Sequence, residues 1–145
     1  MNRNEQDERA FTMDPYARQA SLLRAIAHPV RLRILEALSR EECCVCHLTT
    51  LLRQRQPYVS QQLMTLREAG LVAGRKDGTI VYYSLADQRI SRIIAEACQL
   101  VGVEDGADYP LAVSPVEGCP CPRCRARSRY AGRCGGALAL EGSGL

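Results

Sequence analysis

The residues with chemistry to offer are sulfurs. Cys43, Cys44 and Cys46 stand within four positions and His47 follows them directly; Cys119, Cys121 and Cys124 form a second group, Cys134 comes ten residues later, and Cys98 stands alone. A thiolate is a soft ligand, so such clusters select As(III), Cd(II), Pb(II), Zn(II) or Cu(I) over hard ions. In a secreted chain the same cysteines would suggest disulfides, whereas clustered cysteines in a cytosolic chain bind metal or do redox chemistry. Cys44 and Cys46 fall near the start of an expected helix, where thiol pKa values drop and thiolates form more readily. Positions i and i+2 do not share a face of a regular helix. For this pair to grip one ion, the helix start must distort or unwind, and that deformation is a route from the sulfurs to whatever the helix carries.

The second group has chelating density, and Pro120 and Pro122 stiffen its loop. Cys119, Cys121 and Cys124 can cross to Cys44 and Cys46 and complete one site. Alternatively the four tail sulfurs hold a structural zinc of their own, or the tail is oxidised or unstructured. The Cys-Pro-Arg-Cys run superficially invites thiol–disulfide exchange. No βαβ pattern surrounds it, and no Ser/His/Asp set, phosphate loop or paired-carboxylate site stands out, so the chain does not read as an enzyme.

The elements that must position these residues can be read in order. In 145 residues there is room for one domain with a real core and some tail. No run of about 18 apolar residues is present to span a membrane, and the polar, acidic start MNRNEQDERAF lacks the apolar core of a secretory signal; the expectation is a cytoplasmic protein. Residues 1–14 read as a disordered arm with two Arg against four acids, while residues 15–101 carry twelve Arg and Lys against seven acids. That mildly basic balance suits a nucleic-acid binder without proving one.

Asp14-Pro15 predicts a helix start, and Pro29 ends that helix at His28 and opens a second one. Val45, Leu48, Leu51 and Leu52 make the apolar stripe of a short third helix. After the polar turn 53–56, Pro57 opens a fourth, with Val59, Leu63 and Leu66 facing the core and Gly70 as its stop. Residues 71–73 and 79–83 are β-prone, with Asp77-Gly78 as a hairpin turn. Asp87 is expected to cap a fifth helix with Ile90, Ile93, Ile94, Ala97 and Val101 on its apolar side, where Cys98 is read as structural. Residues 102–118 read as a linker and 119–145 as a Cys-rich tail.

Helices three and four with the hairpin behind them make a winged helix-turn-helix: a mainly α domain with a two-stranded β wing. Such a helix enters the major groove and presents short polar side chains to base edges. Gln61 and Gln62 can pair with adenine or touch phosphates, Tyr58, Ser60 and Thr65 can reach phosphates, and Arg75 and Lys76 near the wing tip can enter the minor groove or touch the backbone.

The segments LLRAIAHPVRLRILEAL, CVCHL, YVSQQLMTLREAGLV and RKDGTIVYYSL together resemble the ArsR/SmtB family of winged-helix repressors, over residues 15–101. The resemblance implies a homodimer, joined through its first and fifth helices, that represses transcription and leaves double-stranded operator DNA when an inducer binds. Cys44-Val45-Cys46 aligns with the Cys-Val-Cys of the family's ELCVCDL motif in arsenic, cadmium and lead sensors. Cys43 then stands where the family has Leu, which makes it packing, and His47 replaces the motif's Asp, which makes it polar scaffolding. The position that holds a third cysteine in one arsenic-sensing type is Thr49, the N-terminal arm has no cysteine, and the fifth helix lacks the His and Asp ligands of the zinc type. A third sulfur must come from Cys43, Cys98 or the tail. The expectation is a repressor released by a thiophilic metal or metalloid, As(III), Cd(II) or Pb(II), held by Cys44, Cys46 and tail sulfurs among Cys119, Cys121 and Cys124. A redox- or sulfide-responsive repressor is the alternative, with a thiol–disulfide enzyme far behind. Neither the inducer nor the operator sequence is legible.

Overall fold

The computed structural model describes residues 14–103 and 116–127. The N-terminal arm, most of the expected linker and the end of the tail with Cys134 lie outside the described residues.

Two proline-opened helices build the floor of the domain. In α1 (Pro15–Ile26) the Asp14 carboxylate accepts from the backbone N–H groups of Tyr16 and Ala17, and Pro15 fills the first position, where no intrahelical donor is needed. α2 (Pro29–Arg40) repeats the device with His28, whose Nδ1 accepts from Val30 N–H. His28 is therefore a cap of α2 and α1 ends at Ile26, two residues before the expected boundary. Ile34, Leu35, Ala37 and Leu38 of α2 are buried and anchor the aliphatic core.

The chain then makes a two-residue strand, β1 (Cys43–Cys44), that the sequence does not announce. It pairs antiparallel with β3 (Ile80–Leu85), Cys43 opposite Tyr83 and Cys44 opposite Tyr82. β2 (Val72–Asp77) lies on the other side of β3, so the wing belongs to a three-stranded sheet of order β1-β3-β2. Asp77 is the last residue of β2 and pairs with Ile80, which leaves Gly78 and Thr79 as the turn; Gly78 sits at φ 61, a conformation that glycine adopts without steric cost.

Between β1 and the wing lie α3 (Val45–Leu52) and α4 (Gln56–Glu68), joined by a short turn in which Arg53 takes the left-handed conformation. Leu48 and Leu52 of α3 meet Val59, Leu63 and Leu66 of α4 in the aliphatic core. α5 (Arg89–Leu100) follows the wing. Its first cap is Gln88 and not the expected Asp87, which lies one residue too early; Asp87 still accepts from Arg89 N–H at 2.8 Å and pairs with the Arg89 guanidinium. Ile90 and Ile94 of α5 are buried, whereas Ile93 and Val101 face outward with Leu100, which is 88% exposed.

The tail returns to the domain. Val116 packs beside the sulfurs, a turn at Gly118 (φ +79) brings the backbone near Thr50 of α3, and residues 122–127 form a helical turn, α6. Residues 116–118 thus belong to the docked tail and not to the linker expected over 102–118.

Candidate functional site

A second cluster, separate from the aliphatic core, consists of Cys44, Tyr82, Cys119, Cys121 and Cys124, with Cys46, Ile80 and Val116 against it. Its members come from β1, α3, β3 and the tail. β1 places Cys44, which ends the strand in an extended conformation (φ −85, ψ 165) and serves as the first cap of α3. Cys46 is the second residue of that helix. Because one cysteine precedes the helix and the other lies in its first turn, the sulfurs meet at 2.9 Å with the helix intact. The expectation that α3 must unwind to bring them together is corrected: the strand-to-helix junction does it.

The tail supplies the remaining donors. The ligand atoms of Cys44, Cys46 and Cys121 lie within 4.8 Å of one another, and those of His47, Cys119, Cys121 and Cys124 do the same. His47 Nδ1 is 3.2 Å from Cys124 Sγ. Cys121 Sγ accepts from Cys124 N–H and Cys124 Sγ accepts from Val116 N–H, both at 3.4 Å, so backbone donors aim these sulfurs. His47, read as scaffolding, therefore stands among the donors. Its spacing to Leu51, one helical turn on, put it on the inward side of α3. Cys43 lies in the aliphatic core with its thiol donating to Glu41 O at 3.5 Å, and Cys98 packs half-buried against the same core; neither is in a donor group. Thr49, the position where a third cysteine is missing, holds a buried Oγ1 with no hydrogen-bond partner among the described residues.

Burial governs the protons. It pushes the Cys44 thiol up, aided by its hydrogen bond with Cys46, and it pushes up Cys119 as well. Cys43 is pushed up to about 12 by burial and then by Glu41. The expected lowering at the helix N-terminus is thus overridden for Cys44, because losing water costs a thiolate more than the helix end returns. Burial pushes His47 down instead, which keeps its imidazole neutral and able to act as a ligand. The donor set fits a soft ion: sulfurs and one neutral imidazole, nearly all buried, at ligand-forming separations.

Charged residues tie this cluster to the wing. Glu42 accepts from the Arg75 guanidinium at 2.8 Å and lies 3.5 Å from that of Arg123. Arg123 also donates to Glu42 O at 3.0 Å, and Arg127 reaches Glu41 at 3.1 Å. The guanidiniums of Arg123 and Arg75 both lie over the Tyr82 ring, 4.9 and 5.4 Å from its centre. Sequence reading did not single out Glu42, Tyr82 or Arg123; the one signal was an arginine set between two tail cysteines.

On α4 the residues expected to read DNA divide. Ser60 and Gln61 are exposed, Tyr58 and Thr65 are half-exposed, and Arg75 and Lys76 project from β2. Gln62 is a correction: only 8% exposed, it accepts from Arg31 at 3.1 Å, and Arg31 also holds the carbonyls of Ala25 and Arg24. Its side chain ties α4 to the end of α1 and does not point outward. Met64, 61% exposed, occupies the outward face in its place.

Comparison with known proteins places this architecture. Residues 28–73 match the family described as bacterial regulatory protein, arsR family. The uncharacterized HTH-type transcriptional regulator MJ1325 of Methanocaldococcus jannaschii is 37% identical over 83 residues, 57% of this chain and 93% of that protein. The chain belongs to the ArsR family. A transcriptional repressor SmtB homologue of Synechocystis is 40% identical over 86 residues; the match takes in 59% of this chain and 65% of that repressor, so the chain spans just under two thirds of that relative. Among solved structures, the homodimeric winged helix-turn-helix DNA-binding domain of a possible ArsR-family regulator from Mycobacterium bovis aligns with a TM-score of 0.53 and 32% identity, covering 59% of this chain and 78% of that one. That solved domain is a winged helix-turn-helix. Among the described residues no helix is long and apolar enough to cross a membrane.

Proposed function

We propose that this ArsR-family chain is a cytoplasmic, homodimeric transcriptional repressor that leaves double-stranded operator DNA when Cys44, Cys46 and the tail cysteines bind a thiophilic metal or metalloid ion. The observation that carries the reading is the convergence of Cys121 with Cys44 and Cys46 within 4.8 Å. Three sulfurs suit As(III), Cd(II) and Pb(II), and the tail is the source of the third. Ser60, Gln61, Tyr58 and Thr65 on α4 and Arg75 and Lys76 on the wing are the DNA contacts in this reading. The outward apolar face of α5, with Ile93, Leu100 and Val101, and the exposed Tyr16 and Leu23 of α1 supply the dimer contact.

The coupling runs through the chain's own residues. A ligand shifts an equilibrium only by binding one state better. Cys44 caps α3, the first helix of the reading unit, and its strand pairs with β3 of the wing. Closing the tail sets Arg123 at the Glu42 carboxylate that also holds Arg75. Sulfur chemistry therefore acts on the reading unit and the wing at one junction. In the bound state Arg75 is held against Glu42 and Tyr82, away from a phosphate.

The test is operator release titrated with As(III), Cd(II), Pb(II), Zn(II) and Cu(I), repeated with Cys44→Ser, Cys46→Ser and a chain ending at Gly118. Release by at least one ion, lost in all three variants, is the expected result. Equal operator affinity with and without saturating ion would end the proposal. A redox-responsive repressor is the second reading, favoured by the 2.9 Å separation of Cys44 and Cys46. A chelator restores operator binding after ion-driven release, whereas only a reductant restores it after oxidation.

A further inference from the structure

The two donor groups overlap at one atom. Cys121 Sγ belongs both to the set with Cys44 and Cys46 and to the set with His47, Cys119 and Cys124. We infer that these donors hold two thiophilic ions at once, with the Cys121 thiolate bridging a three-sulfur position and a four-donor position. The inference rests on the ion-binding reading above and goes beyond it in the number of ions and in the shared ligand.

Ligand counting leads to it. The set His47, Cys119, Cys121 and Cys124 has the three-sulfur, one-nitrogen composition of a closed tetrahedral site. The set Cys44, Cys46 and Cys121 has only three sulfurs and suits an ion content with that number. If Cys121 served one ion alone, the other group would fall short: either Cys44 and Cys46 keep only each other at 2.9 Å, or Cys119, Cys124 and His47 lack their fourth partner. A thiolate has lone pairs to spare for two ions, so sharing completes both sets.

Charge leads the same way. Every donor residue but Cys46 is at most 7% exposed, so uncompensated thiolates are costly here. One divalent ion cannot neutralise all these sulfurs. Two leave the fully deprotonated set a single net negative charge, with the Arg123 guanidinium over the adjoining Tyr82 ring. Each thiol that becomes a ligand gives its proton to solvent, and His47 coordinates as neutral imidazole.

The two positions differ in origin. The four-donor position takes one residue from α3 and three from the tail, so filling it docks the tail. The three-sulfur position takes two residues from the α3 junction and one from the tail, and it forms only once the tail is docked. The first is a structural ion by this division of donors, and the second is the responsive one.

The test uses the reduced full chain with Cd(II) as the only added ion, counting bound cadmium per chain and recording cadmium NMR with a spin-active isotope. The expected result is two cadmium ions per chain whose resonances split each other, because scalar coupling between them requires a shared sulfur. Cys121→Ser should abolish the splitting and lower the count to one. Cys124→Ser should remove the four-donor resonance. One cadmium per chain, or two unsplit resonances that both survive in Cys121→Ser, would overturn the bridge. The unsubstituted chain's splitting decides the matter even if a variant fails to fold. Operator release at one cadmium per chain would remove the bridge and leave the repressor reading standing. Two coupled cadmium ions with unchanged operator affinity would keep the bridge and remove that reading.

Discussion

The molecule has two clusters built on opposite principles. The aliphatic core gathers Ile34, Leu35, Leu48, Val59, Leu63 and Leu66, each 1% exposed or less, from α2, α3 and α4. It needs nothing but water to drive it together. The sulfur cluster gathers Cys44, Cys119, Cys121 and Cys124 with Tyr82. Burial holds the Cys44 and Cys119 thiols back from ionising, and partly exposed ion pairs of Arg123 and Arg127 rim the cluster. Surface pairs of that kind contribute little on their own. The first cluster makes the fold, and the second sets the tail's cysteines against the start of α3. α3 belongs to both, with Cys46 and His47 on one side and Leu48 and Leu52 on the other.

Breaking the first cluster should have the largest effect. Leu63→Ala removes a side chain that is 1% exposed. It should cost about 2–5 kcal/mol, read by chemical denaturation, and should abolish operator binding with or without ion. A loss under about 0.5 kcal/mol would contradict a core that needs no ion.

Removing the second cluster should leave the first intact. A chain ending at Gly118 should keep its ion-free stability within about 1 kcal/mol of the full chain and lose the added stability that saturating ion confers. Equal ion-induced stabilisation in both chains, measured by thermal melting, would show that the tail contributes no ligands.

Protons sharpen the contrast. Burial raises the Cys44 and Cys119 thiols, so near neutral pH both carry protons that an ion must displace. Affinity should therefore rise with pH below the raised pKa values, by about tenfold per unit for each proton released. His47, lowered by burial, is already neutral and adds no such slope above its own pKa. A competition titration with cadmium between about pH 6 and pH 8 checks this, and a flat profile would mean that the ligands are already thiolates.

The smallest expected effect is at the junction. Glu42 is held ionised by its hydrogen bond from Arg75, and Glu42→Gln weakens that tie. The operator affinity of the ion-bound chain should rise a few-fold at most as Arg75 becomes free for phosphate, with melting temperature unchanged. A fall in operator affinity would mean that the Glu42 pairing positions Arg75 for DNA.

Local order was legible where local chemistry decides it. Asp14-Pro15 and Pro29 open helices because a proline fixes φ and lacks a donor. The Val59, Leu63 and Leu66 spacing placed the buried face of α4, and the density of cysteines in two stretches marked soft-ligand chemistry before any geometry. Gln62 could not be read, because a polar residue in a polar helix shows nothing of an Arg31 reaching it from α2. The proximity of Cys44 and Cys46 is not visible in the sequence, because β1, only two residues long, exists by pairing with β3 some forty positions away.

The sequence by itself determined the winged helix-turn-helix, the proline-marked starts of α1 and α2 and its stock of thiols, because periodicity, caps and composition act over a few residues. Only the tertiary structure decided which thiols are neighbours. Cys121 meets Cys44 and Cys46, and His47 joins Cys124, across 77 positions of chain. The spacing of cysteines within each stretch carries no record of where the tail comes back. Where it returns, Arg123 meets Glu42 and Tyr82, and the turn at Gly118 lies beside Thr50 of α3.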